Sequence, residues 1–143
     1  MDLFTIGYEG ATLPDVIGRL QAAGVQVLID VRAIAASRRP GFSKTLLAAS
    51  LAEAGIDYVH LRALGTPAAG RRAARAGRTA EMRAIYALQL ETPEAQLALL
   101  HAGEIAAERP AALLCYEADA TTCHRAMTAE RLCVHLGCTI NDL

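Results

Sequence analysis

The chain has no tryptophan and, among its 143 residues, a single lysine, Lys44. No apolar run approaches the roughly 20 residues that cross a bilayer, so no membrane partner is expected. No basic segment precedes an apolar stretch at Met1-Asp2-Leu3-Phe4, which argues against a secretory leader and for a cytoplasmic protein. Neither sign of charge dominates. The 14 basic and 15 acidic side chains leave a formal net charge of -1, with no global pull toward nucleic acid. Any hold on a phosphate must therefore be local.

Several recognisable chemistries are missing as well. The first glycines, Gly7-Tyr8-Glu9-Gly10, do not supply the Gly-x-Gly-x-x-Gly of a dinucleotide site. The Cys-x5-Arg cradle of tyrosine phosphatases and rhodaneses would need arginine at 121 or 129, and those are Thr121 and Ala129. Paired Cys-x2-Cys spacing for structural zinc is absent. The four cysteines, Cys115, Cys123, Cys133 and Cys138, crowd into the last quarter of a core-rich chain. A disulfide framework staples core-poor chains, so reduced thiols are expected, with Cys133 on the apolar stripe of Ala129, Leu132 and Leu136.

What is present is an alternation of strands and helices. With 53% hydrophobic and 20% charged residues, the chain is globular and of a size for a single domain, 1–143. Aliphatic runs at Leu3–Ile6, Val25–Val31, Ile56–Leu61 and Ala111–Tyr116 predict strands, with Cys138–Ile140 as a short edge. Thr12-Leu13-Pro14-Asp15 reads as a helix start: threonine caps, proline opens the first turn, and aspartate follows three after the cap. Ser43 is expected to cap the next helix. Gly65 to Arg78 reads as a loop carrying Arg71, Arg72, Arg75 and Arg78, either a lid over an anion or a solvated face. Further helices are predicted over Thr79–Leu90, Pro93–Ala107 and Thr122–Leu136. The pattern implies an α/β fold: a three-layer domain with a mostly parallel sheet of four to five strands, Rossmann-like in outline. The long connection before the fourth strand suggests that this strand returns to lie beside the first.

Position within each strand-helix unit is the decisive observation. The strands end in Tyr8-Glu9, in Asp30-Val31-Arg32, at His60, and in Cys115-Tyr116-Glu117, and in a parallel sheet these ends share one edge. Cys123, His124 and Arg125 open the last helix, where backbone N–H groups and the macrodipole favour a thiolate and a neutral imidazole. Glu117 could give or take a proton or fix the histidine tautomer. The second loop brings Arg38 and Lys44 near Ser37 and Ser43, an anion-binding combination at a helix start. Each element has a plainer reading. Cys123 and His124 could only cap and pack, Asp30 could brace a loop, the basic loop could be solvated, and His60 could be a satisfied strand-end histidine.

In order along the chain, Gly7-Tyr8-Glu9-Gly10, Asp30-Val31-Arg32, Ser37-Arg38, Pro40-Gly41-Phe42-Ser43-Lys44, Leu114-Cys115-Tyr116-Glu117 and Cys123-His124-Arg125 resemble the domain of unknown function family 488. The resemblance spans essentially the whole chain. It implies a fold and a set of signature positions, Asp30, Arg32, Ser37, Arg38, Ser43, Lys44, Cys115, Glu117, Cys123, His124 and Arg125, but no reaction. The chain departs from the family pattern at Ala35-Ala36, where a proline is usual.

The leading expectation is an enzyme acting on a phosphorylated or otherwise anionic substrate, nucleotide and nucleic acid included. Tyr8, Asp30, Arg32, Ser37, Arg38, Ser43, Lys44 and Arg125 would bind it. Glu117, His124 and Glu9 would handle protons, and Cys115 or Cys123 would be the nucleophile. Two alternatives stay open: a non-catalytic anion or nucleic-acid binding module, and a domain stabilised by a metal at Cys115, Cys123 and His124. No cofactor is expected, and a homo-oligomer is compatible with the sequence.

Overall fold

A computed structural model of the chain describes residues 1–143. Along the chain run β1 (Asp2–Gly7), α1 (Leu13–Ala22), β2 (Val27–Asp30), α2 (Lys44–Glu53), β3 (Asp57–His60), α3 (Ala68–Arg75), α4 (Thr79–Leu90), α5 (Pro93–Glu108), β4 (Ala111–Cys115), α6 (His124–Leu136) and β5 (Thr139–Asp142). Single 3-10 turns occupy Arg62–Leu64 and Ala120–Thr122. All strand pairs are parallel and the order is β3-β2-β4-β1-β5. The fourth strand thus lies beside the first, as the long connection suggested, and on its other side it pairs with β2.

Local chemistry sets the helix starts. At α1 the Thr12 hydroxyl accepts from the Asp15 amide at 3.3 Å while Asp15 accepts from the Thr12 amide at 3.4 Å, a reciprocal cap. Thr92 caps α5 by accepting from the Ala95 amide. Period-two alternation along the strands sorts side chains between two cores. Ile6, Leu28, Ala112 and Leu114 meet α1 and α2 through Val16, Leu20, Leu47 and Leu51. On the opposite face Val27, Ile29, Val31 and Leu113 meet α4, α5 and α6 through Tyr86, Leu90, Ala102 and Leu132. Fully burying each such Leu, Ile or Val contributes roughly 1.5–3 kcal/mol. Connections after β1 and β2 run on one face and those after β3 and β4 on the other, so crevices open on both sides of β4 at its C-terminal end.

Three expectations are corrected. The Gly65 to Arg78 stretch is no loop, because most of it is α3. Alanine and arginine are strong helix formers, and Gly70 lets the helix press on Thr66, where a Cβ would come within 2.3 Å of Thr66 Cγ2. The cysteines are not all reduced, since Cys133 and Cys138 form a disulfide. Gly137, at φ 66°, ends α6 in the left-handed region and turns the chain so that the two Cα atoms lie 4.7 Å apart. Ser43 stands at the N-cap position of α2 but makes no cap bond. Its hydroxyl instead accepts from the Ser37 amide and donates to the Ser37 carbonyl, bracing the loop.

Candidate functional site

The site lies where the loops after β1 and β4 press together. A Cβ on Gly7 would fall 1.8 Å from the Glu117 carbonyl oxygen, so only glycine permits this approach. The Tyr8 and Glu9 amides donate to the Cys115 and Tyr116 carbonyls, extending the β1–β4 pairing past its regular end. Glu9 itself is exposed, and its carboxylate accepts from the Ala118 amide at 3.0 Å. It ties the two loops together.

On the α1/α2 face, fully buried Asp30 grips Arg32. Arg32 Nε donates to both carboxylate oxygens and Nη2 donates to Oδ2 at 2.7 Å. Nη1 donates to the Tyr8 hydroxyl at 3.2 Å and the Phe42 carbonyl at 2.7 Å. Burial alone would lower the Arg32 pKa, but the carboxylate beside it raises it further, so the cation is permanent. One of its five N–H groups remains unengaged. The Tyr8 ring stacks on Phe42 with centroids 4.4 Å apart, and the Tyr58 hydroxyl donates to Asp30. This is a neutralised, braced pair that shapes the wall.

On the other face Cys115 ends β4 and Cys123 stands at the N-cap of α6, followed by His124. Cys115 Sγ lies 3.6 Å from Glu117 Oε2 and 3.6 Å from His124 Nδ1, while Cys123 Sγ lies 3.7 Å from the same nitrogen. His124 Nε2 donates to the Val31 carbonyl at 2.7 Å, and Tyr86 meets the imidazole edge-on, centroids 4.8 Å apart. Burial opposes charge on Cys123, but its neighbour Cys115, the imidazole of His124 and the Arg125 guanidinium hold its thiol well below the usual range. Contact with Cys123 and burial push the Cys115 thiol up. Burial would lower His124, yet the charge at Cys123 raises it. Burial and then Cys123 push Glu117 up to about 7. These directions favour negative charge on Cys123 and positive charge on His124. Because Nδ1 is nearly equidistant from the two sulfurs, it can stabilise the negative charge on either.

Both faces meet at a cavity of about 290 Å³ lined by Tyr8, Arg32, Cys115, Tyr116, Glu117 and His124, with Arg71 and Arg75 of α3 also in its lining. Arg71 donates to the Thr66 carbonyl, and neither Arg71 nor Arg75 forms an ion pair. The sequence reading carried these two only within an arginine loop, either a lid over an anion or a solvated face, and did not count them among the binding residues. Their four-residue spacing was the available signal, since in a helix it puts both on one face.

Of the residues expected in the site, Tyr8, Arg32, Cys115, Glu117 and His124 line the cavity. Asp30 and Cys123 stand directly behind that lining. Ser37 and Ser43 bond each other within the second loop, and Arg38 and Lys44 are exposed and off the cavity. Arg125 is fully buried: Nε donates to the Thr5 hydroxyl at 3.2 Å and the terminal nitrogens to the Glu117 and Ala118 carbonyls. It holds the β4–α6 loop and does not reach the cavity. His60 donates to the Arg32 carbonyl at 2.7 Å, a satisfied strand-end histidine. Cys115, Cys123 and His124 offer three metal-capable donor atoms within 4.8 Å of one another.

No helix is long and apolar enough to cross a membrane. No match was found among curated proteins or among solved structures. Residues 12–132, which include the Asp30–Arg32 pair and the Cys115–Cys123–His124 cluster, match the family described as domain of unknown function DUF488. The chain belongs to the DUF488 family.

Proposed function

We propose that this protein is a thiol-dependent enzyme that transfers or hydrolyses a phosphoryl or acyl group on a small anionic substrate. The observation that carries the reading is the position of Cys115 Sγ, 3.6 Å from both His124 Nδ1 and Glu117 Oε2, in the wall of a cavity faced by Arg71 and Arg75. A cavity of this size suits a small molecule, and unpaired guanidinium groups suit its charge.

In this reading Arg71 and Arg75 hold the anion. The Cys115 proton passes to the Cys123 thiolate, moving the negative charge onto Cys115 while the imidazolium N–H stays beside both sulfurs. Cys115 Sγ then bonds to the electrophilic phosphorus or carbon as the leaving-group bond breaks. Glu117, pushed up to about 7 by burial and therefore partly protonated at neutral pH, gives its proton to the leaving group. Water next attacks the thioester or thiophosphoryl intermediate, Glu117 takes a proton from it, and the Cys115 thiolate departs.

Turnover of an acyl phosphate and of an aryl phosphate by wild type and Cys115→Ser tests this. The expected result is turnover reduced at least about a hundredfold in the variant, the scale for loss of a catalytic nucleophile. Undiminished turnover in Cys115→Ser overturns the reading. So does one tightly bound transition metal per chain in protein purified without chelator, the outcome that the three clustered donor atoms would produce if the site were metallic.

A further inference from the structure

The proposed reaction uses Cys115 as the attacking atom and leaves Cys123 as a charge store. A buried sulfur so close to a cavity-facing one has a second use. We infer that Cys115 and Cys123 are a redox-active pair, in which Cys115 meets a hydroperoxide through the cavity and Cys123 closes the disulfide behind it. The inference rests on Cys115 being the reactive thiol of the cavity, and is independent of which anionic substrate is turned over.

Access is divided between the two sulfurs. Cys115 is 6% exposed and lines the cavity, whereas Cys123 is 1% exposed and does not. An oxidant therefore reaches Cys115 first. The two sulfurs and His124 Nδ1 lie within 4.8 Å of one another, and a disulfide needs about 2.05 Å between sulfurs. Closing that gap calls for side-chain rotation and a small shift of the link from Tyr116 to Thr122. Arg125 and Glu9 hold Glu117 and Ala118, so the shift falls to the two cysteine side chains and to the turn after Ala118, where Asp119, Thr121 and Thr122 are exposed. Both thiols are reduced in the structure while Cys133 and Cys138 are already joined, so the pair is the chain's remaining reducing capacity.

The electrons balance without a cofactor. The Cys115 thiolate attacks one peroxide oxygen, the O–O bond breaks, and the departing oxygen leaves as water or alcohol with a proton from Glu117. Cys115 is now a sulfenic acid. Cys123, which received the Cys115 proton, passes it to the Glu117 carboxylate emptied in the first step. The resulting thiolate attacks the Cys115 sulfur, and hydroxide leaves as water with the proton of the His124 imidazolium. Two thiols have become one disulfide, and the peroxide has accepted two electrons. An external dithiol returns the pair by exchange at the cavity-facing sulfur.

The test is one equivalent of hydrogen peroxide added to the protein as purified, followed by peptide mapping under non-reducing conditions and by alkylation with iodoacetamide. The expected product is a Cys115–Cys123 disulfide in most chains, reversed by dithiothreitol, with Cys133–Cys138 intact. Cys123→Ser stops at the Cys115 sulfenic acid with one equivalent and, given a second, should carry Cys115 on to the sulfinic acid; an unchanged circular dichroism spectrum checks its folding. Cys115 oxidised to sulfinic acid in wild type, or paired with Cys133 or Cys138, overturns the redox pairing and leaves the thiol-dependent enzyme standing. Cys115 inert to both peroxide and iodoacetamide overturns both readings.

Discussion

His124 Nε2 lies 2.7 Å from the carbonyl oxygen of Val31, so the first residue of α6 is tied to the end of β2 across the top of β4. A carbonyl can only accept, which keeps a hydrogen on Nε2 in either charge state and commits Nδ1 to the two sulfurs. Cys115→Ser leaves Cys123 as the sole thiol of the cluster. In wild type, against the effect of burial, the Cys115 hydrogen bond, His124 and Arg125 hold its thiol well below the usual range. The serine hydroxyl can donate in place of Cys115 and the other two remain, so the ultraviolet thiolate absorbance of this variant should persist at neutral pH. Adding His124→Gln removes the imidazolium. The absorbance then appears only as pH rises toward the ordinary cysteine range. Spectra of the single and double variants across pH that coincide would contradict the assignment.

Glu117 links the site to pH. Burial first, and the charge at Cys123 second, raise its folded pKa from 4.5 to about 7. The folded state therefore binds this proton more tightly than the unfolded state does. Its contribution to stability is fully present below pH 4.5 and is lost as pH rises through about 7. Glu117→Gln, which cannot ionise, should flatten that decline, so that urea melts show the variant gaining on wild type above pH 7. A variant that loses ground there would reverse the sign of the argument.

Asp30 and Arg32 form the buried ion pair of the opposite wall. Asp30→Ala strands the guanidinium and removes the acceptor of the Tyr58 hydroxyl. Breaking one side of such a pair costs about 3–5 kcal/mol, read as a lowered denaturant midpoint. A loss below about 1 kcal/mol would mean that water already reaches the pair.

Arg71 and Arg75 carry the substrate's charge in the proposed reading. Arg71→Ala with Arg75→Ala should raise KM for an anionic substrate by roughly tenfold or more, since a charge-assisted hydrogen bond contributes about 1.5–3 kcal/mol. The denaturant midpoint should barely move, and the dependence of KM on salt should weaken in the variant. An unchanged KM would place the anion elsewhere in the cavity.

Gly7 allows the backbone contact on which the loop geometry depends. A methyl group there meets the Glu117 carbonyl oxygen at 1.8 Å, so Gly7→Ala must displace the loop that Arg125 holds. Iodoacetamide labelling of Cys115 reports the displacement as a changed rate. An unaltered rate would show that the loop gives way at no cost.

Much of this fold is readable from local chemistry. The Thr12 and Asp15 cap, the start of α5 at Pro93 and the glycine after α6 are short-range signals that tertiary packing did not override. Cys115, Glu117 and His124 were readable as one cluster because parallel strands must end on one edge. Residues whose role depends on distant partners were harder. Arg125 looks like an anion ligand beside Cys123, yet its acceptors are Thr5 and two loop carbonyls that only the folded sheet supplies. The Cys133–Cys138 bond depends on a left-handed turn that reverses the chain, a geometry that residue spacing does not encode. The arginines of α3 were hidden by the glycines at 65, 70 and 77, which read as loop. Gly65 and Gly70 in fact serve close packing, since a Cβ on Gly65 would sit 2.2 Å from Ala33 Cα.

Because β4 sits between β1 and β2, the middle of the sheet is the fourth strand to be synthesised. Until Ala111–Cys115 leaves the ribosome, the two earlier strands have no direct partner in each other and the reactive edge has no floor. A nascent chain ending before Pro110 would leave one edge of β2 and both edges of β1 without a strand partner, a species that chaperones bind. Split at the exposed Arg109-Pro110 junction, the two pieces should be inactive apart and regain the cavity when mixed.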